Sequence, residues 1–200
     1  MNKKIGIYSA IINLCSVVIF AVCLLTGFLF GSFLSSMFIA YSFVPLICSF
    51  AEYGKPQTKT AGKTAMIFAG MYATLILIVY FTQLTILRNE TLSSEAVFLL
   101  DYSAFGLFFN LNLLGYGLMS LSTFFAGFTV DIRTKSDKAL KCLLMLHGIF
   151  FISCLIIPIL GVFSSMEGAD IIGTFVLLFW CAFFAPIGIL SFAYFKKESL

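Results

Sequence analysis

Charge is what this 200-residue chain has least of. Only 10% of its residues are Asp, Glu, Lys or Arg, while 61% are hydrophobic. A soluble domain carries about 25% charged residues, and a water-facing surface of this size cannot be covered with fewer than half that share. Bilayer is therefore the expected solvent for most of the chain, and lipid its first partner. The apolar runs themselves hold no Asp, Glu, Lys or Arg at depth. Ionisable side chains inside a membrane mark proton and ion paths, so their lack argues against a proton-coupled pump. It also removes the paired acids and metal ligands that an intramembrane hydrolase needs.

Other absences narrow the field further. There is one histidine, His147, one tryptophan, Trp180, and no Cys-x-x-Cys among six cysteines. One imidazole with no aligned carboxylate or second histidine does not make a metal site, so no metal and no cofactor is expected. The cysteines read as small apolar filler. The net charge of +3 forms no basic stripe of the kind that neutralises phosphates, which excludes nucleic acid as a partner. Ala61-Gly62-Lys63-Thr64 imitates the end of a phosphate-binding loop, but Gln57 stands where that pattern needs glycine. No small-residue cleavage site follows the first apolar run, so that run is expected to be a retained span and not a signal peptide.

Six runs remain, each able to cross a ~30 Å core as a helix: Ile5–Gly27, Ser32–Ala51, Thr64–Leu87, Ala104–Phe128, Cys142–Phe163 and Ile171–Tyr194. They are continuous, unlike the ~10-residue alternating segments of a closed barrel. The expected fold is an all-α membrane protein, a single compact bundle of six transmembrane helices. All but one of the twelve basic residues fall at the N-terminus, in the second and fourth gaps, or in the tail; Arg88 is the exception. The positive-inside rule then predicts cytoplasmic N- and C-termini in the cell membrane. Of the acids, Glu90, Glu95, Asp101, Glu167 and Asp170 lie in the odd, outer gaps. The outer connection Arg88–Ser103 contains Ala96-Val97-Phe98-Leu99-Leu100, too short to span and too apolar to float. It predicts a short interfacial helix. Asn89-Glu90-Thr91 fits the glycosylation pattern, which has no meaning in a bacterium.

Small and polar residues should mark the protein-facing side of each helix, since helices in lipid pack through them. At ~100° per residue, Asn112, Gly115, Tyr116, Met119, Ser120, Thr123, Ala126 and Gly127 share one side of the fourth span. Leu114, Leu118, Leu121, Phe124, Phe125 and Phe128 share the other. All six spans carry such a stripe, including Ser9, Asn13, Ser16 and Cys23 on the first and His147 and Cys154 on the fifth. Pro45 and Pro158 lie about two-thirds along the second and fifth spans, a placement that inverted symmetry or chance explains equally well.

The outer third offers Gln83, Asn112 and, one turn deeper, Tyr116, with Asp101 just outside. Two readings stay open for them. They line an outward polar pocket for a small uncharged or cationic solute, or Gln83 and Asn112 bridge helices while Asp101 pairs with Arg88. A second polar cluster is predicted at Asn13 and His147, which fall at similar depth.

Tyr80-Phe81-Thr82-Gln83-Leu84-Thr85 and Leu114-Gly115-Tyr116-Gly117-Leu118-Met119-Ser120-Leu121-Ser122-Thr123 resemble segments of small, uncharacterised multipass proteins of bacterial membranes. The resemblance covers the third and fourth spans and implies a bacterial cytoplasmic membrane. Size and topology are also similar to substrate-binding components of vitamin uptake systems, but Leu14 follows Ala10 where their docking motif repeats alanine. The sequence thus points to solute binding or transport without enzymatic chemistry. A structural or regulatory subunit docking another membrane protein is the alternative.

Overall fold

Backbone N–H and C=O groups find no partner in lipid, so a crossing segment must satisfy them internally. A computed structural model, describing residues 2–88, 92–161 and 169–197, is helical throughout and contains no strand among those residues. Its helices are α1 (Asn2–Thr26), α2 (Leu29–Tyr53), α3 (Lys59–Leu84), α4 (Ser94–Leu100), α5 (Leu107–Thr129), α6 (Lys135–His147), α7 (Phe150–Ile159) and α8 (Ala169–Lys197). Six helical segments are long and apolar enough to cross a membrane: α1, α2, α3, α5, α6 continued by α7, and α8. This is the architecture of a multi-pass membrane protein.

The helices outrun the apolar runs where charges follow. Lys59 and Lys63 belong to α3, Lys135 to Lys141 to α6, and Lys196 and Lys197 to α8. Hydropathy marks only the part of a helix that lipid can cover; hydrogen bonding continues past that boundary. The Gly62-Lys63 segment lies in the opening turns of α3, where a Cβ on Gly62 would sit 3.0 Å from that of Ala51. Gly62 therefore serves helix approach and not phosphate binding.

Local chemistry sets the turns. Gly27, at φ +68°, ends α1. The Phe28 and Gly27 amides return to the Cys23 and Leu24 carbonyls at 2.9 and 3.3 Å, a Schellman closure. Thr134 and Asp137 form a reciprocal capping box at the start of α6. The fifth span is interrupted after His147. Gly148 and Ile149 bond three residues back, to Met145 and Leu146, and a Cβ on Gly148 would lie 2.9 Å from that of Phe124. The interruption precedes Pro158, whereas α2 runs unbroken through Pro45, so the two proline spans differ in form.

Neighbours in sequence are neighbours in space. The helices pack α1 on α2, α2 on α3, α3 on α5, α5 on α6 and α7, α6 on α8, and α8 back on α1. The result is a closed ring, with α2 also meeting α5 across the middle. Among the described residues α6 makes most of the closing contact with α8, while α7 packs chiefly against α5 and meets α8 through Phe150, which lies 5.5 Å from Phe183 and 6.3 Å from Phe179. The ring is shut at the α6 end and held more thinly at the other.

The shut end gathers the basic segments. Lys55 reaches Asp131 at 2.8 Å, Lys197 reaches Asp137 at 3.0 Å, and the Asp131 amide donates to the Tyr194 hydroxyl. Phe195 of α8 packs against Gly6 of α1.

Most predicted inward residues are buried, including Ser9, Asn13, Ser16, Cys23, Asn112, Tyr116, Met119, Ser120, Thr123, Ala126 and His147. Leu118 departs from the expectation and is buried. The reason is that α5 touches α2, α3, α6 and α7, so it has more than one covered side. Most buried serines donate to a carbonyl one turn back in their own helix, as Ser16 does to Ile12 and Ser35 to Gly31. They permit close approach and do not bridge. True bridges are fewer: Asn13 to the Ile39 carbonyl and Ser42, Ser122 to the Ala65 carbonyl, and Thr123 to His147.

Candidate functional site

The short helix expected in the outer connection is α4, capped by Ser93, which accepts the Ala96 amide. The Asp101 carboxylate then organises the next turn. Its Oδ1 accepts both the amide and the hydroxyl of Ser103 at 2.8 Å. Phe105 follows at φ 53°, a left-handed conformation rare outside glycine. A Cβ on the adjacent Gly106 would strike the Phe98 carbonyl oxygen. The chain is thus folded tightly back on α4 before α5 begins.

Gln83 holds this connection down. Its Nε2 donates to the Leu100 carbonyl at 2.8 Å, and its Oε1 accepts the Tyr102 amide at 3.1 Å. Both ends of the amide are spent on backbone. Aromatic rings fill the space around it. Phe33, Tyr80 and Tyr102 lie within 5.6 to 6.4 Å of one another by centroid, Tyr102 meets Phe109 at 5.5 Å, and Phe105 meets Phe109 at 4.9 Å.

Beneath the connection is a cavity of about 460 Å³. Gln83, Asp101, Tyr80, Tyr102, Phe105 and Thr174 are among its lining residues. Beside it, between α5, α7 and α8, lies a cleft of about 90 Å³ lined by Asn112, Tyr116, Ser120 and Trp180. The two spaces share Tyr102, Phe109, Gly173 and Leu177. The four residues expected to line one pocket are therefore divided, Gln83 and Asp101 in the cavity and Asn112 and Tyr116 in the cleft. Asn112 is 1% exposed and its Oδ1 has no hydrogen-bond partner. The Tyr116 hydroxyl, near that of Tyr80, likewise makes no hydrogen bond of ordinary geometry. Asn112 thus makes no hydrogen-bonded bridge, whereas the Tyr116 ring meets Tyr72 of α3 at 5.9 Å and Trp180 of α8 at 5.3 Å. The expected pairing of Asp101 with Arg88, the glycosylation pattern at 89–91, and the outer acids Glu90, Glu167 and Asp170 lie outside the described side chains.

Asn13 and His147 do not form a cluster together. Asn13 is bonded to α2, as above. His147, fully buried, accepts the Trp180 indole N–H on Nε2 at 3.0 Å and meets Thr123 Oγ1 through Nδ1 at 2.8 Å. Indole only donates, so Nε2 carries no proton and Nδ1 does. Thr123 then donates onward to the Ser120 carbonyl at 2.9 Å. Every proton and lone pair in the chain Trp180–His147–Thr123–Ser120 has a place, which makes it a structural tie among α8, α6 and α5. Depth alone suggested Asn13; chemistry favoured Trp180, because a buried indole N–H needs an acceptor.

A larger groove of about 540 Å³ runs along α1 and α2. Its serines, Ser16 and Ser35, are bonded within their own helices, and Ile12, Ile19 and Phe38 on its walls are exposed. It offers a solute no polar group and suits lipid chains. Among the described residues, no three His, Cys, Asp or Glu side chains come together as a metal site.

Comparison with protein-family models, with curated proteins and with solved structures finds no match to this chain.

Proposed function

We propose that the chain is a polytopic protein of a bacterial cell membrane that binds or transports a small uncharged or cationic solute. Its two termini and shut, basic end lie in the cytoplasm, and the cavity beneath α4 faces outward. The observation that carries this reading is the cavity of about 460 Å³ at the end opposite the lysines, within the ~300–1,000 Å³ typical of ligand sites. Concentration of basic side chains at one end supports the orientation.

The test is access. In a background with Cys15, Cys48, Cys142 and the cleft-lining Cys154 replaced by alanine, Thr174→Cys is expected to react with an impermeant methanethiosulfonate added outside intact cells. A reporter fused after Lys197 is expected to stay cytoplasmic. An unreactive Thr174→Cys in a folded protein would mean a closed, dry core. The chain would then be better described as a structural or regulatory subunit of another membrane protein.

A further inference from the structure

The lining of the outer cavity selects among solutes, and we propose that it takes an organic cation, an ammonium group carried on an apolar body. This rests on the solute-binding reading above and names its ligand class. Asp101 is the only charged side chain among the described lining residues. It is half-buried, and Ser103 occupies Oδ1, while Oδ2 accepts no hydrogen bond from the described residues. Among those described lining residues no lysine or arginine offsets the carboxylate for an anion.

Polyols and sugars fit the lining less well on a different ground, that its described amide and serine groups are already bonded. A solute rich in hydroxyls needs free protein donors and acceptors, or its buried polar groups go unpaired. Here Gln83 is spent at both ends, the Ser32 hydroxyl is bonded to the Leu29 carbonyl, and the Ser103 hydroxyl to Asp101. What the cavity does offer is aromatic surface. Phe20, Phe33, Tyr80, Tyr102, Phe105 and Phe109 all line it, and aromatic faces attract ammonium groups, most strongly out of water. The left-handed backbone at Phe105 sets that ring against Phe109 at the mouth.

The remaining wall is leucine: Leu24, Leu29, Leu87 and Leu177. That wall suits the apolar body. Continuity past Tyr102 and Phe109 into the cleft gives the body somewhere to run, with the unpartnered Asn112 Oδ1 at its far side.

Benzyltrimethylammonium, its neutral carbon isostere neopentylbenzene, and phenylmethanesulfonate separate the alternatives. Each is titrated against the full chain in phosphatidylcholine nanodiscs, with empty nanodiscs subtracting what lipid absorbs. Calorimetry and the emission of Trp180, which lines the adjoining cleft, report binding. The cation is expected to bind saturably and about tenfold more tightly than the isostere. Asp101→Asn keeps an oxygen to accept from Ser103, so the turn persists. It is expected to weaken the cation about tenfold and leave the isostere unchanged. Phe105→Leu is expected to weaken the cation more than the isostere. Equal affinity for cation and isostere, tighter binding of the sulfonate, or an unaltered Asp101→Asn each sinks the ligand class. So does silence from all three compounds while Thr174→Cys remains reactive from outside; an unreactive Thr174→Cys instead removes the solute-binding reading itself.

Discussion

Replacing Gln83 with leucine removes the tie between α3 and the connection from α4 to α5 without changing side-chain bulk greatly. The side chain is 6% exposed and makes two bonds to backbone outside its own helix, at 2.8 and 3.1 Å. Interhelical hydrogen bonds in membrane proteins average ~0.6 kcal/mol and reach ~1.7. Two of them give about 1–3 kcal/mol, and the upper half of that range is expected. The Leu100 carbonyl and Tyr102 amide lose their partner together. Gln83→Glu should be worse. An ionised carboxylate still accepts from Tyr102 but faces the Leu100 carbonyl with no proton to give. The assay has two parts: unfolding of the purified protein by steric trapping, and hydrogen exchange across 92–104. The reasoning predicts lower stability together with loss of protection confined to that connection. Wild-type stability with wild-type protection of the Leu100–Tyr102 stretch would refute it, since the clamp would then hold nothing.

Three further outcomes follow from the geometry. Gly106→Ala drives a methyl into the Phe98 carbonyl oxygen, which is backbone and cannot swing aside; a loss of about 1–3 kcal/mol and a lower Tm are expected, with Gly70→Ala, where nothing lies nearby, as the control. A double-mutant cycle of His147→Leu and Trp180→Phe should return a coupling of about 0.6–1.7 kcal/mol, and additive effects would dissolve the proposed tie. The Lys55 ammonium beside Asp131, helped by Arg133, holds that carboxyl below the ordinary carboxylate range. Its folded pKa is therefore depressed relative to the unfolded value of ~3.9. The contribution of this pair is complete above that value and fades as pH falls through the depressed one. A carboxyl titration followed by NMR should show this, and Lys55→Met should return Asp131 toward the ordinary range.

The parts legible in sequence were those governed by lipid. Apolar length located six crossing segments, and small or polar residues at helical spacing located most buried faces. Both signals are strong because lipid leaves few alternatives for backbone and none for stray charge. The break after His147 was hidden, since Gly148 inside an apolar run reads like any packing glycine. What the glycine does there is admit the Phe124 side chain of α5, 2.9 Å from where a Cβ would stand. Leu118 was misplaced because a helix with four neighbours has no single outward side. At the candidate site, Gln83 and Asp101 were singled out as polar residues near one end, and both line the cavity. That Gln83 is occupied by backbone, and that Asn112 is not, depends on how the connection from α4 to α5 folds back. Nothing in the spacing of the two amides records it. Tyr102 and Phe105 were lost among 25 phenylalanines and eight tyrosines.

The thin contact of α7 with α8, made through Phe150, leaves the two ends of the ring unequally braced. In the leaflet beside the lysines, α6 is held on two flanks, and lateral pressure is shared around the whole circumference. In the opposite leaflet α7 leans on α5, and acyl chains press on a helix with one principal support. Thickness or crowding of that single leaflet is thus expected to set how wide the cleft at Asn112 and Tyr116 stands. Emission from Trp180 across nanodiscs of graded chain length would measure the response, and asymmetric vesicles would show which monolayer governs it.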